Sequence, residues 1–328
     1  MSVNEELKSI LIREEEYPEA ILNIEKELSP VMTAGYFDSF DGNGIYYEYY
    51  KAENAKANIV VLHGFTEFTK KFAETVYYFT HFGFNVFIYD HRGHGNSYHS
   101  LKDPHLAHVD SFDDYVKDLE CYMDKIVSKV SPGLPCYMFA HSMGCAVGLL
   151  YMQKYPDSFE KAVLSSPLIY PGTSGVPLFL VKLSIAGALL RKGAKERKFK
   201  HSGEFDPNPD FEKSSDMSRA RFESNLEYRR RNVNYQNSSV TNGWLWEAIN
   251  SGRRILSRRA LRRINASVLV FTSDSDTVVR TEYHRILCSR LKNSRRVTLV
   301  NAKHTPFTGS PETIEEFFCD TISFYLDR

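Results

Sequence analysis

The stretch CYMFAHSMGCAVGLLYMQK, residues 136–154, sets a short apolar run, a serine and a helical pattern in direct succession. The run Cys136–Ala140 has the length of a buried strand, and Met143–Lys154 has the length and composition of a helix. In the pentapeptide AHSMG (140–144), small residues stand two positions before and two positions after the serine. A nucleophilic serine on a tight strand-to-helix turn needs that spacing, because larger side chains would collide around it. The stretch therefore predicts that Ser142 is a nucleophile at the carboxyl end of a strand.

The same alternation of strand and helix extends along the chain on both sides of this stretch. A hairpin is predicted for Tyr36–Tyr50, with its turn at residues 41–44. Alternating strands and helices favour an α/β fold with a mostly parallel central sheet and helices on both faces. The expected strands are Asn58–Leu62, Phe84–Tyr89, Cys136–Ala140, Ala162–Ser165, Val268–Thr272 and Val297–Val300, and the expected helices are Phe72–Phe82, Phe112–Val130, Met143–Lys154 and Glu282–Leu291.

The alternation is interrupted once, between residues 167 and 263. This segment contains an apolar helical pattern near Leu178–Leu190 and then a long, strongly charged sequence without a clear strand. Ligands of open α/β sheets bind at the carboxyl ends of the strands, so we predict that 167–263 is a helical lid over those ends. The predicted organisation is an N-terminal helical extension at 1–30, a core made of 31–166 and 264–328, and the lid between them.

The composition is that of a globular protein without a bulk charge. The 41 basic and 41 acidic residues cancel, which argues against nucleic acid as a partner. The five cysteines are odd in number and lack metal-ligand spacing, so they indicate core residues in a reducing compartment. The N-terminal sequence lacks the pattern of a secretory signal, and no run of 18 apolar residues occurs. The expected location is therefore the cytoplasm.

Charge is divided unevenly along the chain. Residues 1–28 hold eight acidic and three basic residues, a net charge of −5. Residues 191–263 hold 18 basic and nine acidic residues, a net charge of +9. Basic residues of the predicted lid could attract an anionic lipid surface, so peripheral contact with an anionic membrane is expected. The apolar segment Val176–Leu190 is expected to line an acyl channel.

A serine hydroxyl is a poor nucleophile until a base takes its proton. His304 follows the last expected strand. It thus stands last in the chain order of nucleophile, acid and base that serine hydrolases of this strand–helix type use. The sequence predicts His304 as the base, and it predicts structural or lining roles for the competing His63, His91, His94 and His141.

The acid that orients this base should follow the strand Val268–Thr272. Two carboxylates lie there, those of Asp274 and Asp276. Asp276 is preferred because an apolar pair, Val278-Val279, follows it as in the usual loop of such enzymes. Asp274 remains the alternative.

An oxyanion hole is predicted from two backbone amides. The loop His63-Gly64-Phe65 follows the strand Asn58–Leu62, and Gly64 lets this loop approach the nucleophile closely. The amide of Phe65, together with the amide of Met143 at the start of the helix, is expected to bind the oxyanion.

No metal or organic cofactor is expected. The loop Asp90–Ser97 contains two glycines, but no Gly-Lys-Ser sequence follows, as a phosphate-binding loop would require. We interpret this loop as a structural brace in which Arg92 ties neighbouring loops together. The histidines and cysteines of the chain do not show the spacing of zinc ligands.

Taken together, these motifs resemble those of a known family. The loops HGF (63–65) and DHRGHGNS (90–97), the pentapeptide AHSMG and the late Asp276 and His304 are similar to the monoacylglycerol lipase and lysophospholipase branch of the α/β-hydrolases, which is grouped with serine aminopeptidases. The stretches DPHLAHV (103–109), SRARF (218–222) and GWLW (243–246) resemble the bacterial lysophospholipases of that branch.

The resemblance implies an α/β-hydrolase fold with a helical lid inserted between strands. It implies that Ser142, Asp276 and His304 hydrolyse a carboxylic ester of a single-chain lipid, above all a lysophospholipid, through an acyl-enzyme. A monoacylglycerol lipase or a general carboxylesterase is the alternative within the enzymes. An α/β-hydrolase that binds its ligand without catalysis is the alternative from another class.

Overall fold

Ten strands form two sheets in the computed structural model, which describes residues 2–173 and 175–327. The strands are β1 (Met32–Asp38), β2 (Gly44–Tyr50), β3 (Ala57–Leu62), β4 (Phe84–Tyr89), β5 (Leu106–Ala107), β6 (Cys136–His141), β7 (Lys161–Ser165), β8 (Ser239–Val240), β9 (Ser267–Ser273) and β10 (Ser294–Leu299).

The main sheet has eight strands in the order β1-β2-β4-β3-β6-β7-β9-β10. β2 runs antiparallel to both of its neighbours, and the other neighbouring strands pair in parallel. This confirms the predicted α/β fold with a mostly parallel sheet. β5 and β8 pair separately and join the core to the segment 167–263, in which the sequence indicated no clear strand. A strand of two residues is too short to leave a period-two pattern.

Helices cover both faces of the main sheet. Residues of β3 alternate between the faces, so that Val60 and Leu62 belong to one apolar cluster and Ile59 and Val61 to the other. The helices are α1 (Val3–Ile10), α2 (Tyr17–Leu28), α3 (Ala73–His81), α4 (Phe112–Tyr122), which continues through a π-helical turn (Met123–Val127) into α5 (Ser128–Val130), α6 (Met143–Lys154), α7 (Leu178–Leu189), α8 (Arg219–Arg231), α9 (Asn242–Ile255), α10 (Arg258–Leu261), α11 (Glu282–Arg290) and α12 (Pro311–Leu326).

The N-terminal helices pack on the α3 and α12 face and also contact α8. Arg221 of α8 is 1% exposed and donates two hydrogen bonds to Glu74 of α3, at 2.9 and 2.6 Å. It also contacts Glu14 at 3.4 Å, and Tyr228 of α8 donates a hydrogen bond to Glu25 of α2. Part of the negative charge of residues 1–28 therefore pairs with basic and polar groups of α8.

α9 carries the chain back across the sheet. β7 and β9 are parallel neighbours, so the chain must return from the carboxyl end of β7 to the amino end of β9. α9 makes this return while packing against α6 and α4, and the carbonyl oxygen of Ile255 at its end accepts a hydrogen bond from Gln153 of α6. Its inner face, which includes Ala248 and Ile249, belongs to the apolar core.

α7 exposes three large apolar side chains, those of Phe179, Leu180 and Leu183. Phe179 is 68% exposed and Leu183 is 67% exposed, and Ile185 is the one buried residue among the described residues of this helix. Sequence composition predicted an apolar channel lining here, whereas these two side chains face solvent. No helix in the described ranges is long and apolar enough to cross a membrane.

Candidate active site

Ser142 occupies a sharp turn between β6 and α6. Its backbone lies at φ 49° and ψ −111°, a strained conformation for a residue with a side chain. The turn is held by hydrogen bonds from the Ser142 amide to Ser165 O (2.9 Å) and from the Leu168 amide to Ser142 O (3.0 Å). A Cβ atom at Gly144 would lie 2.1 Å from Leu62 O, so the glycine two positions after the serine is needed for β3 and α6 to approach. The loop therefore presents the serine at the carboxyl end of β6.

Three sequence-predicted residues meet at this turn. His304 Nε2 lies 2.9 Å from Ser142 Oγ, and His304 Nδ1 lies 2.7 Å from Asp276 Oδ2. Asp276 follows β9 and His304 follows β10, so the ends of three parallel strands supply the three side chains. This is the arrangement in which an imidazole takes a proton from a serine while a carboxylate fixes its tautomer.

Asp276 is held as a carboxylate. Its Oδ1 accepts hydrogen bonds from the amides of Val278 (2.8 Å) and Val279 (3.2 Å), and its Oδ2 faces His304. Burial raises the pKa of Asp276, but the hydrogen bonds from His304 and the two amides outweigh it and leave the pKa below its ordinary value.

Asp274, the alternative acid of the sequence analysis, lies apart from this contact. Its carboxylate is exposed and accepts hydrogen bonds from the amides of Asn301 (3.1 Å) and Ala302 (3.2 Å). These bonds connect the loop after β9 to the loop that leads to His304. Asp274 therefore joins the two loops without touching the imidazole.

The loop that carries Phe65 lies against the nucleophile. A Cβ atom at Gly64 would lie 3.1 Å from Ser142 Cβ, so glycine is what allows this approach. Gly64 O accepts hydrogen bonds from His63 Nδ1 (2.7 Å) and from the Glu67 amide (3.3 Å). Because a trans peptide is planar, fixing this carbonyl also fixes the Phe65 N–H, which points the opposite way. Met143, the other predicted oxyanion donor, is the first residue of α6 and is buried.

The carboxylate of Glu67 holds this loop in place, a role that the sequence motifs do not predict. Its Oε2 accepts a 2.6 Å hydrogen bond from the Gly64 amide, and its Oε1 lies 2.8 Å from Lys71 Nζ. Both side chains are nearly buried. Burial raises the pKa of Glu67, but Lys71, His141 and the Gly64 amide outweigh it and lower the pKa to about 2. The four-residue spacing of Glu67 and Lys71, directly after the HGF loop, is the sequence signal from which this ion pair could be predicted.

The competing histidines are buried and neutral. Burial lowers the pKa of His63 to about 4 and that of His141 and His94 to about 3, and it lowers the pKa of His91 well below its ordinary value. His63 Nε2 accepts a 2.9 Å hydrogen bond from the amide of His91, so these two residues connect the HGF loop to the loop after β4.

Arg92 ties the loop after β4 to its neighbours, as the sequence predicts. Its guanidinium donates two 2.6 Å hydrogen bonds to Asp118 of α4 and one 2.9 Å hydrogen bond to Asp41 of the hairpin turn. Arg92 and Asp118 are both buried, so the charged pair is also hydrogen-bonded, as a buried ion pair requires.

The chain is similar to several known hydrolases. The family model described as serine aminopeptidase, S33, matches residues 53–308. Lysophospholipase L2 of Escherichia coli K12 is 27% identical over 252 residues, which cover 77% of this chain and 73% of that protein. Human monoglyceride lipase is 32% identical over 142 residues, 43% of this chain and 45% of that protein. The structure of a soluble variant of monoglyceride lipase from Saccharomyces cerevisiae superposes with a TM-score of 0.72 at 18% identity, over 90% of this chain and 95% of that one.

Proposed function

Since the chain belongs to the family described as serine aminopeptidase, S33, we propose that it hydrolyses carboxylic esters of single-chain lipids, with lysophospholipids as its main substrates. The general activity, hydrolysis of a lipid carboxylic ester, is that of the lysophospholipase and monoglyceride lipase relatives. The choice of lysophospholipids is supported by the longer match, because the lysophospholipase relative aligns over 252 residues and the human lipase over 142.

In the proposed mechanism Ser142 Oγ attacks the acyl carbonyl while His304 Nε2 takes its proton. The amides of Phe65 and Met143 stabilise the oxyanion of the tetrahedral intermediate. The intermediate expels the lipid alcohol, which receives the proton from His304, and the acyl group stays on Ser142. Water, deprotonated by His304, then attacks the acyl-enzyme; the fatty acid departs as Ser142 Oγ takes back the proton from His304. Asp276 keeps the imidazole oriented and stabilises its charged form throughout.

The observation that carries this proposal is the pair of contacts made by His304, 2.9 Å to Ser142 Oγ and 2.7 Å to Asp276. The test is Ser142→Ala, measured on a short-chain nitrophenyl ester and by labelling with a fluorophosphonate. We expect a loss of about a million-fold in kcat and loss of the label. Ser158→Ala, in the turn after α6, is the matched control and should behave as wild type. A Ser142→Ala protein that keeps a tenth of the wild-type rate would overturn the proposal.

A monoacylglycerol lipase or a general carboxylesterase is the second candidate, favoured by the match to human monoglyceride lipase. A substrate panel of lysophospholipids, monoacylglycerols and nitrophenyl esters separates these enzymes by their kcat/KM values. A non-catalytic binding protein would take no fluorophosphonate label at all.

We also infer peripheral contact with anionic membranes, through α7. The exposed Phe179 and Leu183 lie on the same helix as Lys182, and Arg191 and Lys192 follow its end. An apolar helix face flanked by basic residues is typical of an element that lies in a membrane interface.

The arginines of α8 and α10 contribute less to this contact. Arg229 donates hydrogen bonds to Tyr235 O (3.0 Å) and Asn237 O (2.7 Å), and Arg231 pairs with Glu227. The arginines of α10 shortly precede the amino end of β9, opposite the strand end that carries Asp276.

A further inference from the structure

A cavity of about 280 Å³ has His304 among its lining residues. Three segments enclose it: the lid residues 212–215, the loop 275–278 after β9, and Lys303 with His304 after β10. Val278 is the one apolar side chain among its lining residues, and the others carry hydroxyl, carboxyl, ammonium or imidazole groups. The hydroxyl and ammonium groups among these residues can form hydrogen bonds to a polar ligand.

The position of this cavity assigns it to the leaving group. This step depends on the proposed function, in which His304 returns its proton to the departing alcohol. The alcohol of the substrate must then lie beside the same imidazole. His304 is 6% exposed and is among the residues that line this cavity.

Lys303 supplies a positive charge that no acid in the wall neutralises. Its Nζ donates hydrogen bonds to Glu212 O (3.3 Å) and Ser214 O (3.1 Å), and it forms no ion pair within the described ranges. An ammonium group has three N–H donors, so one remains for a ligand. Two carbonyl oxygens fix the direction of this group without cancelling its charge.

The other charged groups around the cavity are already paired. Lys213 lies 3.3 Å from Asp210, and Glu212 lies 3.5 Å from Arg219. The carboxylate of Asp276 is occupied by His304 and two amides. The charge left for a ligand is therefore the positive charge of Lys303.

We propose that this cavity is the head-group subsite and that it takes the phosphate of a glycerophospholipid. Lys303 Nζ makes the ionic contact, and the hydroxyl groups of Ser215 and Thr277 donate hydrogen bonds to the phosphate oxygens. The neutral glycerol of a monoacylglycerol cannot make the ionic contact. The subsite thereby favours lysophospholipids over monoacylglycerols at one and the same triad.

Inhibition by glycerol 3-phosphate tests the site directly, with a nitrophenyl ester as the reporter substrate. We expect glycerol 3-phosphate to compete, inorganic phosphate to compete more weakly and glycerol not to compete. Lys303→Met should raise the inhibition constant of glycerol 3-phosphate by about tenfold or more, since one charge-assisted hydrogen bond is lost. Lys292→Met is the matched control, because its ammonium is exposed, hydrogen-bonded to Asn265 and not among the residues that line the cavity, and it should keep the wild-type constant. Equal inhibition by inorganic phosphate would assign the site to a free anion and overturn the head-group proposal.

Substrate preference gives the second readout. The ratio of kcat/KM for a lysophospholipid to kcat/KM for the monoacylglycerol of the same acyl chain should fall at least tenfold in Lys303→Met. Lys303→Arg, which keeps the charge, should restore part of the ratio, and Ser215→Ala should lower it without removing the ties of Lys303 to the lid. An unchanged ratio in Lys303→Met and Ser215→Ala overturns the subsite while hydrolysis itself persists. Failure of the wild-type protein to hydrolyse any ester would instead overturn the proposed function.

Discussion

At the scale of single residues, His304 differs from the buried His63 by the partners of its ring nitrogens. His304 has a carboxylate at Nδ1 and a serine hydroxyl at Nε2. His63 has a carbonyl oxygen at Nδ1 and an amide at Nε2, which hold a neutral ring in place. A ring with a carboxylate on one side can take a proton on the other, because the charge that forms is stabilised.

Asp276→Asn is predicted to lower kcat by about four orders of magnitude, because an amide leaves His304 in the wrong tautomer. Asp274→Asn serves as the control, since its carboxylate joins two loops and does not touch the imidazole. Its kcat should fall far less. The measurement is kcat of both variants on one ester. A larger loss in Asp274→Asn than in Asp276→Asn would identify Asp274 as the acid.

Glu67→Gln is predicted to lower kcat by roughly tenfold to a hundredfold with little change in KM. The Gly64 amide then loses a charged acceptor, and the Phe65 N–H is less well fixed; complete loss of an oxyanion donor costs about 10² to 10³. Glu53→Gln, an exposed carboxylate in the turn after β2, is the control and should be neutral. A change confined to KM would argue against a positioning role for Glu67.

The same residue predicts a pH dependence of stability. The folded-state pKa of Glu67 is lowered to about 2 from an ordinary value of 4.5, so its charge stabilises the fold fully above pH 4.5. That stabilisation is lost as pH falls from 4.5 toward 2. The difference in free energy of unfolding between wild type and Glu67→Gln, measured with urea, should therefore shrink between pH 6 and pH 3. A difference that is constant over this range would contradict the lowered pKa.

A residue of the candidate site can be predicted from sequence where a short motif follows a strand. Ser142, Asp276 and His304 each stand just after a strand, so their approach could be expected from the order of a parallel sheet. Glu67 could not be identified with the same ease, because its role depends on a carboxylate turning back to an amide three residues earlier. Such a contact leaves no apolar periodicity in the sequence.

At the scale of elements, the predicted strands of the buried sheet lie within one residue of the observed ones, except at the edge. The last strand is predicted at Val297–Val300 and observed at Ser294–Leu299. The prediction begins too late because the first residues of this edge strand include the exposed Arg295 and Arg296. Charged side chains suit a sheet edge, where they oppose pairing with another chain, but they hide the strand from an apolar pattern.

Arg221→Met is predicted to destabilise the fold by about 3–5 kcal/mol, because it leaves the buried carboxylate of Glu74 without its partner. The neighbouring Arg219, 61% exposed at its side chain and paired with Glu212 at 3.5 Å, gives the matched control. Arg219→Met should change the free energy of unfolding by less than about 0.5 kcal/mol. Urea unfolding of both variants is the measurement. Equal losses would show that Arg221 does not fasten α8 to α3.

At the scale of the whole molecule, some of the charged residues pair inside the protein and others remain exposed. Glu14 and Glu25 of the N-terminal segment contact α8, which neutralises charge inside the protein. Arg253, Arg258, Arg259, Arg262 and Arg263 remain exposed. Composition alone predicted the division of charge but not which of the basic residues the fold would pair.

We predict reversible binding to anionic vesicles that weakens with salt, since the Debye length falls from about 10 Å at 0.1 M to about 3 Å at 1 M. The double variant Phe179→Glu with Leu183→Glu should bind at least several-fold less, because it places charges on the apolar face of α7. Leu22→Glu, on the exposed side of α2, is the control and should bind as wild type. Co-sedimentation is the measurement. Equal binding to neutral and anionic vesicles, or no binding at low salt, would refute the contact with anionic membranes, and unchanged binding of the double variant would refute the role of α7.

The return path made by α9 bears on how this enzyme could be altered by recombination. α9 packs on α6 and lies between β7 and β9 in the chain, so deletion of all residues from 167 to 263 would remove a helix that belongs to the apolar core. We expect the exchangeable part to be the shorter stretch from about 171 to 240, because bridges tie its two ends to the core, Pro171 to Val279 and β8 to β5. Related proteins that exchange this stretch would be expected to recombine at these two bridges and to keep α9 unchanged.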